Sequence, residues 1–299
     1  MFNLSTVTMR RLVRVTSKLL LNQKCPLWLQ RKGINIMGGY GSLPSPIKVD
    51  KTSLIGRPAW WFNHEGKKSA QVVLYFHGGG YGIGSPKSHR DLCAHLAKYA
   101  KISVLSLAYR LAPEHPYPAA IEDAVDAYKA LLDSGYRHDQ IALAGDSAGG
   151  GLALSLAIQL KSLKLSQPAC LFLISPWINK SRETKSHVTQ FDIDPVINQS
   201  WSLQMAHNYL QNSESITAEA CLVDKDLTGL PPILIHVGTD EVLLDDSLLL
   251  KQKAIKAGVH VTLITYKELW HVFHFSASLF KPARTALKQA GEYIYQKLK

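Results

Sequence analysis

Gly145-Asp146-Ser147-Ala148-Gly149 stands between a short apolar run, Gln140–Ala144 (QIALA), and a longer one, Gly150–Ala157 (GGLALSLA). A G-x-S-x-G pentapeptide carries meaning only where a strand turns sharply into a helix, and the two flanking runs supply that setting. Small residues on either side of the serine let the chain reverse tightly. The hydroxyl then projects above the end of the strand, with the start of the helix beneath it. The chain is thereby held to an architecture in which strand ends and helix starts meet along one edge. Glycine and serine are common, so the rest of the sequence has to supply the partners such a serine needs.

From about residue 70 onward, strand-like and helix-like stretches alternate. Strands are predicted at Gln71–His77, Ile102–Ala108, Gln140–Ala144, Ala169–Ser175, Ile233–Val237 and Val259–Tyr266. Helices are predicted at Ser88–Ala100, with Leu92, Leu96 and Ala97 on one side, at Pro118–Gly135, and at Pro282–Leu298. The last two each open on proline, which suits a helix start, and glycine closes the second. Continuous apolar strands separated by helices indicate a parallel sheet covered on both faces. The alternation breaks between Trp177 and Leu230, a polar stretch too long for a plain connection, with a helix-like piece near Asn198–Leu210. At 299 residues, 46% of them hydrophobic, the chain fits one large domain with an appended lid. The four scattered cysteines, Cys25, Cys93, Cys170 and Cys221, show no metal spacing and are read as reduced thiols.

The net charge of +11 is unevenly placed. No Asp or Glu precedes Asp50, whereas eight Lys and Arg do, so the N-terminal segment supplies +8 and the remainder is close to balanced. That argues against a nucleic-acid surface. Residues 7–24 have the pattern of a basic amphipathic helix. Two roles fit it: weak peripheral contact with an anionic membrane surface, or a lid helix whose apolar side packs on the body while its charges are solvated. The lid helix is the expectation. No run is long enough to span a bilayer or to serve as a secretory leader, and a cytoplasmic protein is expected.

Two further segments belong with Ser147. His77-Gly78-Gly79-Gly80-Tyr81 directly follows the first of these strands, 70 residues upstream of the serine. Three glycines let a backbone approach a ligand closely and turn N–H groups toward it. A tetrahedral oxyanion needs such preorganised donors, each worth roughly 2.7–4 kcal/mol when removed. The N–H groups of Gly79, Gly80 and Ala148 are the candidates, with His77 and Gly78 supporting the loop. A serine hydroxyl also needs a base, and His271, in Trp270-His271-Val272-Phe273-His274, lies just past the last strand, with His274 as its rival. An acid should lie between serine and histidine, at the end of the penultimate strand. There Asp240 and Glu241 stand adjacent, and either can orient an imidazole; Asp245 and Asp246 are read as capping the following helix.

From about residue 45 to its end the chain resembles the bacterial hormone-sensitive-lipase-like esterases, the family with the G-D-S-A-G signature. The likeness rests on His77–Gly80, Tyr109–Pro116 (YRLAPEHP), Pro118–Ala120, Gly145–Gly150, Ser175-Pro176-Trp177 and His271-Val272-Phe273, in that order. It implies an α/β-hydrolase fold: a mostly parallel central sheet with helices on both faces and a helical lid over the site. The implied organisation is an N-terminal basic segment, 1–45, forming part of the lid, and a hydrolase domain, 46–299, with a lid insertion at about 180–225. The implied activity is hydrolysis of short- to medium-chain carboxylic esters through an acyl-serine, with small-molecule substrates and neither cofactor nor metal. Many relatives carry Asp-Pro-Leu-x-Asp-Glu at the acid; aligning its Leu and trailing acidic pair here places Glu241 on the catalytic Asp, so Glu241 is preferred to Asp240. Two places depart from the pattern. Asn179 stands where relatives have Asp, and Cys221-Leu222-Val223 replaces a usual Ser-Pro. Arg110 and Glu114 are assigned to buried structural pairing. A non-catalytic receptor on the same scaffold lacks the catalytic histidine, which is present here. A third reading keeps the same machinery but changes the bond cleaved, making the chain an amidase. Trp28, Trp201 and Tyr209 are the aromatics that could line the pocket.

Overall fold

The apolar runs pair into one eight-stranded sheet. The computed structural model describes residues 3–39, 43–180, 184–211 and 221–299. Its strands are β1 (Ile47–Leu54), β2 (Arg57–His64), β3 (Val72–Phe76), β4 (Ser103–Leu107), β5 (Ile141–Asp146), β6 (Cys170–Ile174), β7 (Ile233–Gly238) and β8 (Val261–Tyr266). Their order across the sheet is β1-β2-β4-β3-β5-β6-β7-β8. From β4 to β8 every pairing is parallel, and β2 runs antiparallel to both of its neighbours. This is the mostly parallel α/β-hydrolase sheet that the sequence led one to expect. All of β3, β4, β5, β6 and β7 is buried, which is why these strands read as continuous apolar runs.

The hairpin β1–β2 has no counterpart in the sequence reading. β1 (IKVDKTSL) buries only Ile47, because it forms the sheet edge and presents polar side chains to solvent. An edge strand that is polar on both faces gives no hydrophobic period to detect.

Helices cover both faces. On one lie α4 (Ala119–Asp133), α5 (Ala148–Ser162) and the helix Leu244–Lys256; on the other, α3 (Arg90–Ala100) and the C-terminal helix Lys281–Lys297. Leu92, Leu96 and Ala97 of α3 are all buried, as their spacing predicts. α5 is apolar nearly all round, and 11 of its 15 residues are buried. It therefore sits against the sheet and fixes the turn at its own start.

Two N-terminal helices, α1 (Thr6–Leu20) and α2 (Leu27–Gly39), and the segment between β6 and β7 lie over the C-terminal ends of the strands. Of that segment, α6 (Lys185–Thr189) and α7 (Gln199–Leu210) are described, whereas 181–183 and 212–220 of the predicted insertion fall outside the described residues. α1 ends before Lys24 because the Asn22 amide donates to the carbonyls of Lys18 and Leu19, while its Oδ1 accepts from the N–H of Lys24 and Cys25. Among the described residues no helix is long and apolar enough to cross a membrane.

The C-terminal helix packs closely on α3 through Gly291. A Cβ there would lie 2.6 Å from the Ala100 nitrogen and from the Tyr99 carbonyl carbon, both main-chain atoms. Gly291→Ala is expected to cost about 1–3 kcal/mol through overpacking, read as a lower denaturation midpoint with hydrolytic rates unchanged at low temperature. An unaltered midpoint would mean that the two helices are not in this contact.

Candidate active site

The C-terminal ends of β3, β5, β6, β7 and β8 feed five loops toward one place. In open α/β sheets this edge is where ligands bind, because the loops there converge without the strands obstructing them.

Ser147 follows β5 with φ 52° and ψ −121°, a conformation rarely held by a residue other than glycine. Two hydrogen bonds fix it: its N–H donates to the Ile174 carbonyl at 2.8 Å, and its carbonyl accepts from the Trp177 N–H at 2.9 Å. Gly149 is required by contact rather than by φ, since a Cβ would lie 2.0 Å from the Phe76 carbonyl oxygen. The turn therefore lets α5 press against the end of β3.

The glycine loop after β3 is bound to the same turn. Asp146 Oδ1 accepts from the Gly78 N–H at 3.0 Å and from the Tyr75 hydroxyl at 2.6 Å. His89 Nε2 lies 3.3 Å from Asp146 Oδ2. Burial works to raise the Asp146 carboxyl, but His89 and the Tyr75 hydroxyl outweigh it and hold the group below its usual range. His77 bonds through Nδ1 to the Gly78 carbonyl at 2.9 Å, and its ring stacks on Tyr109 at 4.3 Å. Burial, with His89 nearby, pushes His77 down to about 3, so it is a neutral ring that shapes the loop. Gly79 has φ 116°, and its carbonyl accepts from Gly82 and Ile83. Ser147 does not cap its own helix. The N–H groups of Gly79, Gly80 and Ala148 bond to no protein acceptor among the described residues.

His271 Nδ1 lies 3.1 Å from Glu241 Oε1, and both side chains are buried. Glu241 is held in turn: Oε2 accepts from the Ser175 hydroxyl at 2.8 Å and from the Gly238 N–H at 2.7 Å. The residue after the histidine, Val272, adopts φ 48°, costly for a β-branched side chain, and its N–H points at Ser175 Oγ, 3.4 Å away. Asp240 is placed elsewhere, bonded to the Arg10 guanidinium at 2.6 Å. His274 is also elsewhere, buried against His236 at 3.2 Å and kept neutral by desolvation. Ser147 and His271 line the same cavity without a direct hydrogen bond between them. Nucleophile–base contacts in unliganded sites are often loose in this way.

The cavity has a volume of about 510 Å³, in the range of small-molecule sites. α1, α2 and the segment before α7 supply much of its apolar wall, including Met9, Leu20, Ile34 and Val196. Of the three aromatics singled out above, only Trp201 lines it. Trp28 is 65% exposed, and Tyr209 is buried in a stack on Tyr81 at 3.7 Å. Trp201 is anchored by its indole N–H on Gln30 Oε1 at 2.8 Å, which joins α2 to α7. Among the described residues no group of three His, Cys, Asp or Glu could hold a metal ion.

Asp194 was given no role by the sequence. It is buried, accepts from the N–H groups of Val196 at 2.8 Å and Val242 at 3.1 Å, and so ties the insertion to the residue after Glu241. Burial raises it to about 6 despite the attraction of His271. Its only sequence signal is its place in Asp192-Ile193-Asp194-Pro195.

Other expectations are revised. Asp245 and Asp246 lie in the first turn of their helix as expected, but their side chains do not cap it: Asp245 accepts from the Ser186 N–H, and buried Asp246 from those of Ile178 and Asn179. The two departures from the family pattern meet, since Asn179 pairs with Cys221 in an isolated bridge. Arg110 binds Asp123 and Glu122. Glu114 is not buried; it is 54% exposed and pairs with Arg31.

Residues 73–275 match the family described as having the alpha/beta hydrolase fold. The chain is 41% identical over 228 residues to an acetyl-hydrolase of Streptomyces hygroscopicus, covering 76% of each chain. It is 34% identical to an esterase of Acinetobacter venetianus, covering 75% of each. Among solved structures it is similar to a hormone-sensitive lipase from a metagenome library, with a TM-score of 0.94 at 33% identity over the whole of both chains. An esterase of the bacterial hormone-sensitive lipase family gives 0.93 at 35% identity over 98% of each.

Burial acts to lower the His271 imidazole, yet the hydrogen bond and charge of Glu241, with Asp194 and Asp146 beyond, raise it above its usual 6.5. The expected nitrogen-15 NMR titration of His271 therefore has its midpoint above 6.5 and moves to lower pH in Glu241→Gln. A midpoint unmoved by that substitution would break the assigned pairing.

Proposed function

The chain belongs to the α/β-hydrolase fold family, among the hormone-sensitive-lipase-like esterases, and from that membership we propose that Ser147, His271 and Glu241 are its nucleophile, base and acid, with Gly79, Gly80 and Ala148 as its oxyanion hole. The protein is a serine hydrolase acting on small-molecule carboxylic esters. The observation that carries the residue assignment is the contact between His271 Nδ1 and Glu241 Oε1, on the cavity that Ser147 also lines.

In this reading Ser147 Oγ attacks the ester carbonyl carbon while His271 Nε2 takes the hydroxyl proton. The negative charge that forms on the carbonyl oxygen is met by the three free backbone N–H groups. The imidazolium, stabilised by Glu241, returns the proton to the departing alkoxide, and an acyl-serine remains. Water then attacks the acyl carbon, again giving a proton to His271, and the carboxylic acid and Ser147 are released. The segments 1–45 and about 180–225 act together as the lid, since described residues of both, between Met9 and Gly38 and between Val196 and Trp201, line the cavity, and the apolar wall suits short- to medium-chain acyl groups.

Ser147→Ala is expected to lower kcat by roughly four to six orders of magnitude. Glu241→Gln is expected to cost about 10⁴-fold, whereas Asp240→Asn costs less than about tenfold. The reverse ranking of the two acid variants would move the acid to Asp240. A p-nitrophenyl ester series from acetyl to palmitoyl, beside an anilide, is expected to peak at short to medium chains and leave the anilide nearly untouched.

Asp194 is a positioning residue in this scheme, because its carboxylate favours the imidazolium and its hydrogen bond holds the acid loop. Asp194→Asn is expected to move the acid limb of kcat/KM to lower pH, because removing a nearby negative charge lowers the His271 pKa. A loss of rate with the limb unmoved would indicate that Asp194 only supports the fold.

A further inference from the structure

The outer faces of α1 and α2 are unlike the rest of the surface. Half of the large apolar side chains exposed among the described residues fall between Val7 and Met37. On α1, Val7, Leu12, Val15 and Leu19 are 62%, 46%, 58% and 69% exposed. Val7 and Val15 stand in the i, i+4, i+8 row completed by Arg11, and Lys18 lies beside them. On α2, Trp28, Lys32 and Ile36 form a row of the same spacing, with Leu29 and Met37 also exposed.

The cations of this segment divide into two groups. Arg10, Arg14 and Arg31 reach inward, to Asp240, to the Ile193 carbonyl and to Glu114. Arg11, Lys18, Lys24 and Lys32 are exposed and make no ion pair among the described residues. With no carboxylate before Asp50, the outward face carries four unpaired cations among aliphatic side chains. A soluble surface helix keeps its apolar side inward. α1 instead spends one apolar side, Met9, Val13 and Leu20, on the cavity wall and shows a second to solvent.

We propose that the outer faces of α1 and α2 form a docking surface for an anionic lipid bilayer. Aliphatic side chains and Trp28 would enter the headgroup–acyl boundary while Arg11, Lys18, Lys24 and Lys32 meet the lipid phosphates. A second copy of the chain is a poor occupant, because two such faces would oppose four unpaired cations to four. The placement has a functional corollary that rests on the esterase reading. Leu12 and Met37 are both exposed and part of the cavity wall, so these two apolar side chains join the docking face to the cavity of Ser147. A membrane-dissolved ester would thus enter without crossing water.

The test is flotation with vesicles of phosphatidylcholine alone, or with roughly one-third phosphatidylglycerol, together with Trp28 emission. Expected results are binding to the anionic vesicles that weakens in high salt, a blue shift that Trp28→Phe removes, and a fall of at least about tenfold in partitioning for R11Q/K18Q/K24Q/K32Q and for V15E/L19E. None of these residues lines the cavity, so hydrolysis of p-nitrophenyl butyrate in vesicle-free buffer should match wild type, and circular dichroism checks the fold. Equal flotation with and without anionic lipid, or binding unchanged in both variants, would overturn the proposal. So would a concentration-dependent dimer that V15E/L19E dissolves, which would assign the face to self-association. Because flotation needs no turnover, it fails or succeeds independently of the esterase reading.

Discussion

One carboxylate joins the two loops on which the site depends. Asp146 is the last residue of β5, and its neighbour Ser147 takes the strained turn. The same side chain reaches across to the end of β3 and accepts from Gly78 and Tyr75. The glycine loop and the serine turn are thus fixed relative to one another, not each to its own strand alone. An oxyanion hole works only if its donors are in place before charge develops, because reorganising them during the reaction would cost the stabilisation they provide. Burying an ion for this purpose is expensive unless it is paired and fully hydrogen-bonded. Here His89, the Tyr75 hydroxyl and the Gly78 N–H together meet that condition. In Gly145-Asp146-Ser147-Ala148-Gly149 the second letter is therefore as structural as the glycines.

The other half of the site is built on the same plan from different strands. Ser175, at the end of β6 with φ 46°, donates to Glu241 beyond β7 and lies against the N–H of Val272 beyond β8. One hydroxyl thus links three loops. Asp194 adds a fourth point by binding the backbone just after Glu241. The insertion is consequently part of the electrostatic environment of His271 as well as a wall of the cavity. Burial raises Asp194 to about 6, with Glu241 adding to it against the attraction of His271, while the hydrogen bond and charge of Glu241 and the charge of Asp194 raise His271 against its own burial.

The strands β3 to β7 were legible because they are buried on both faces and read as uninterrupted apolar runs; β8 was read too, although none of its residues is fully buried. β1 and β2 were not: β1 is a polar, exposed edge, and the apolar run of β2, Ala59-Trp60-Trp61-Phe62, is short and bounded by Pro58 and Asn63. Ser147 and the glycine loop come from motifs whose tight turns need glycine or serine, and those are visible in one sequence, whereas the strained turn after His271 is carried by Val272. The choice between Asp240 and Glu241 was not visible in the residues alone, since both lie beyond the same strand; family resemblance, not pattern, favoured Glu241. What separates them physically is a partner 230 residues away, Arg10, which takes Asp240. Asp194 was hidden for a like reason: its bonds from Val196 and Ile197 form an ordinary local turn, and the one that ties it to the acid loop, from the Val242 N–H, is supplied by tertiary contact.

Arg10, Arg14 and Arg31 also explain how a segment with no acidic residue can lie against the body. Each is supplied with an acceptor by another part of the chain, and at least one member of every such pair is solvent-accessible. Partly exposed pairs of this kind contribute only about 0–1 kcal/mol each. The firmer attachments are apolar or buried: Met9 in the core, and the Trp201 indole on Gln30. The wall of the cavity is therefore held by a few buried residues, by part-buried bonds such as those of Arg31 to the Gly82 and Ala112 carbonyls, and by surface pairs. Elements with few buried contacts open at low free-energy cost. The N-terminal helices proposed as part of the lid bury few of their residues, whereas Ser147 and Glu241 lie just beyond the wholly buried strands β5 and β7.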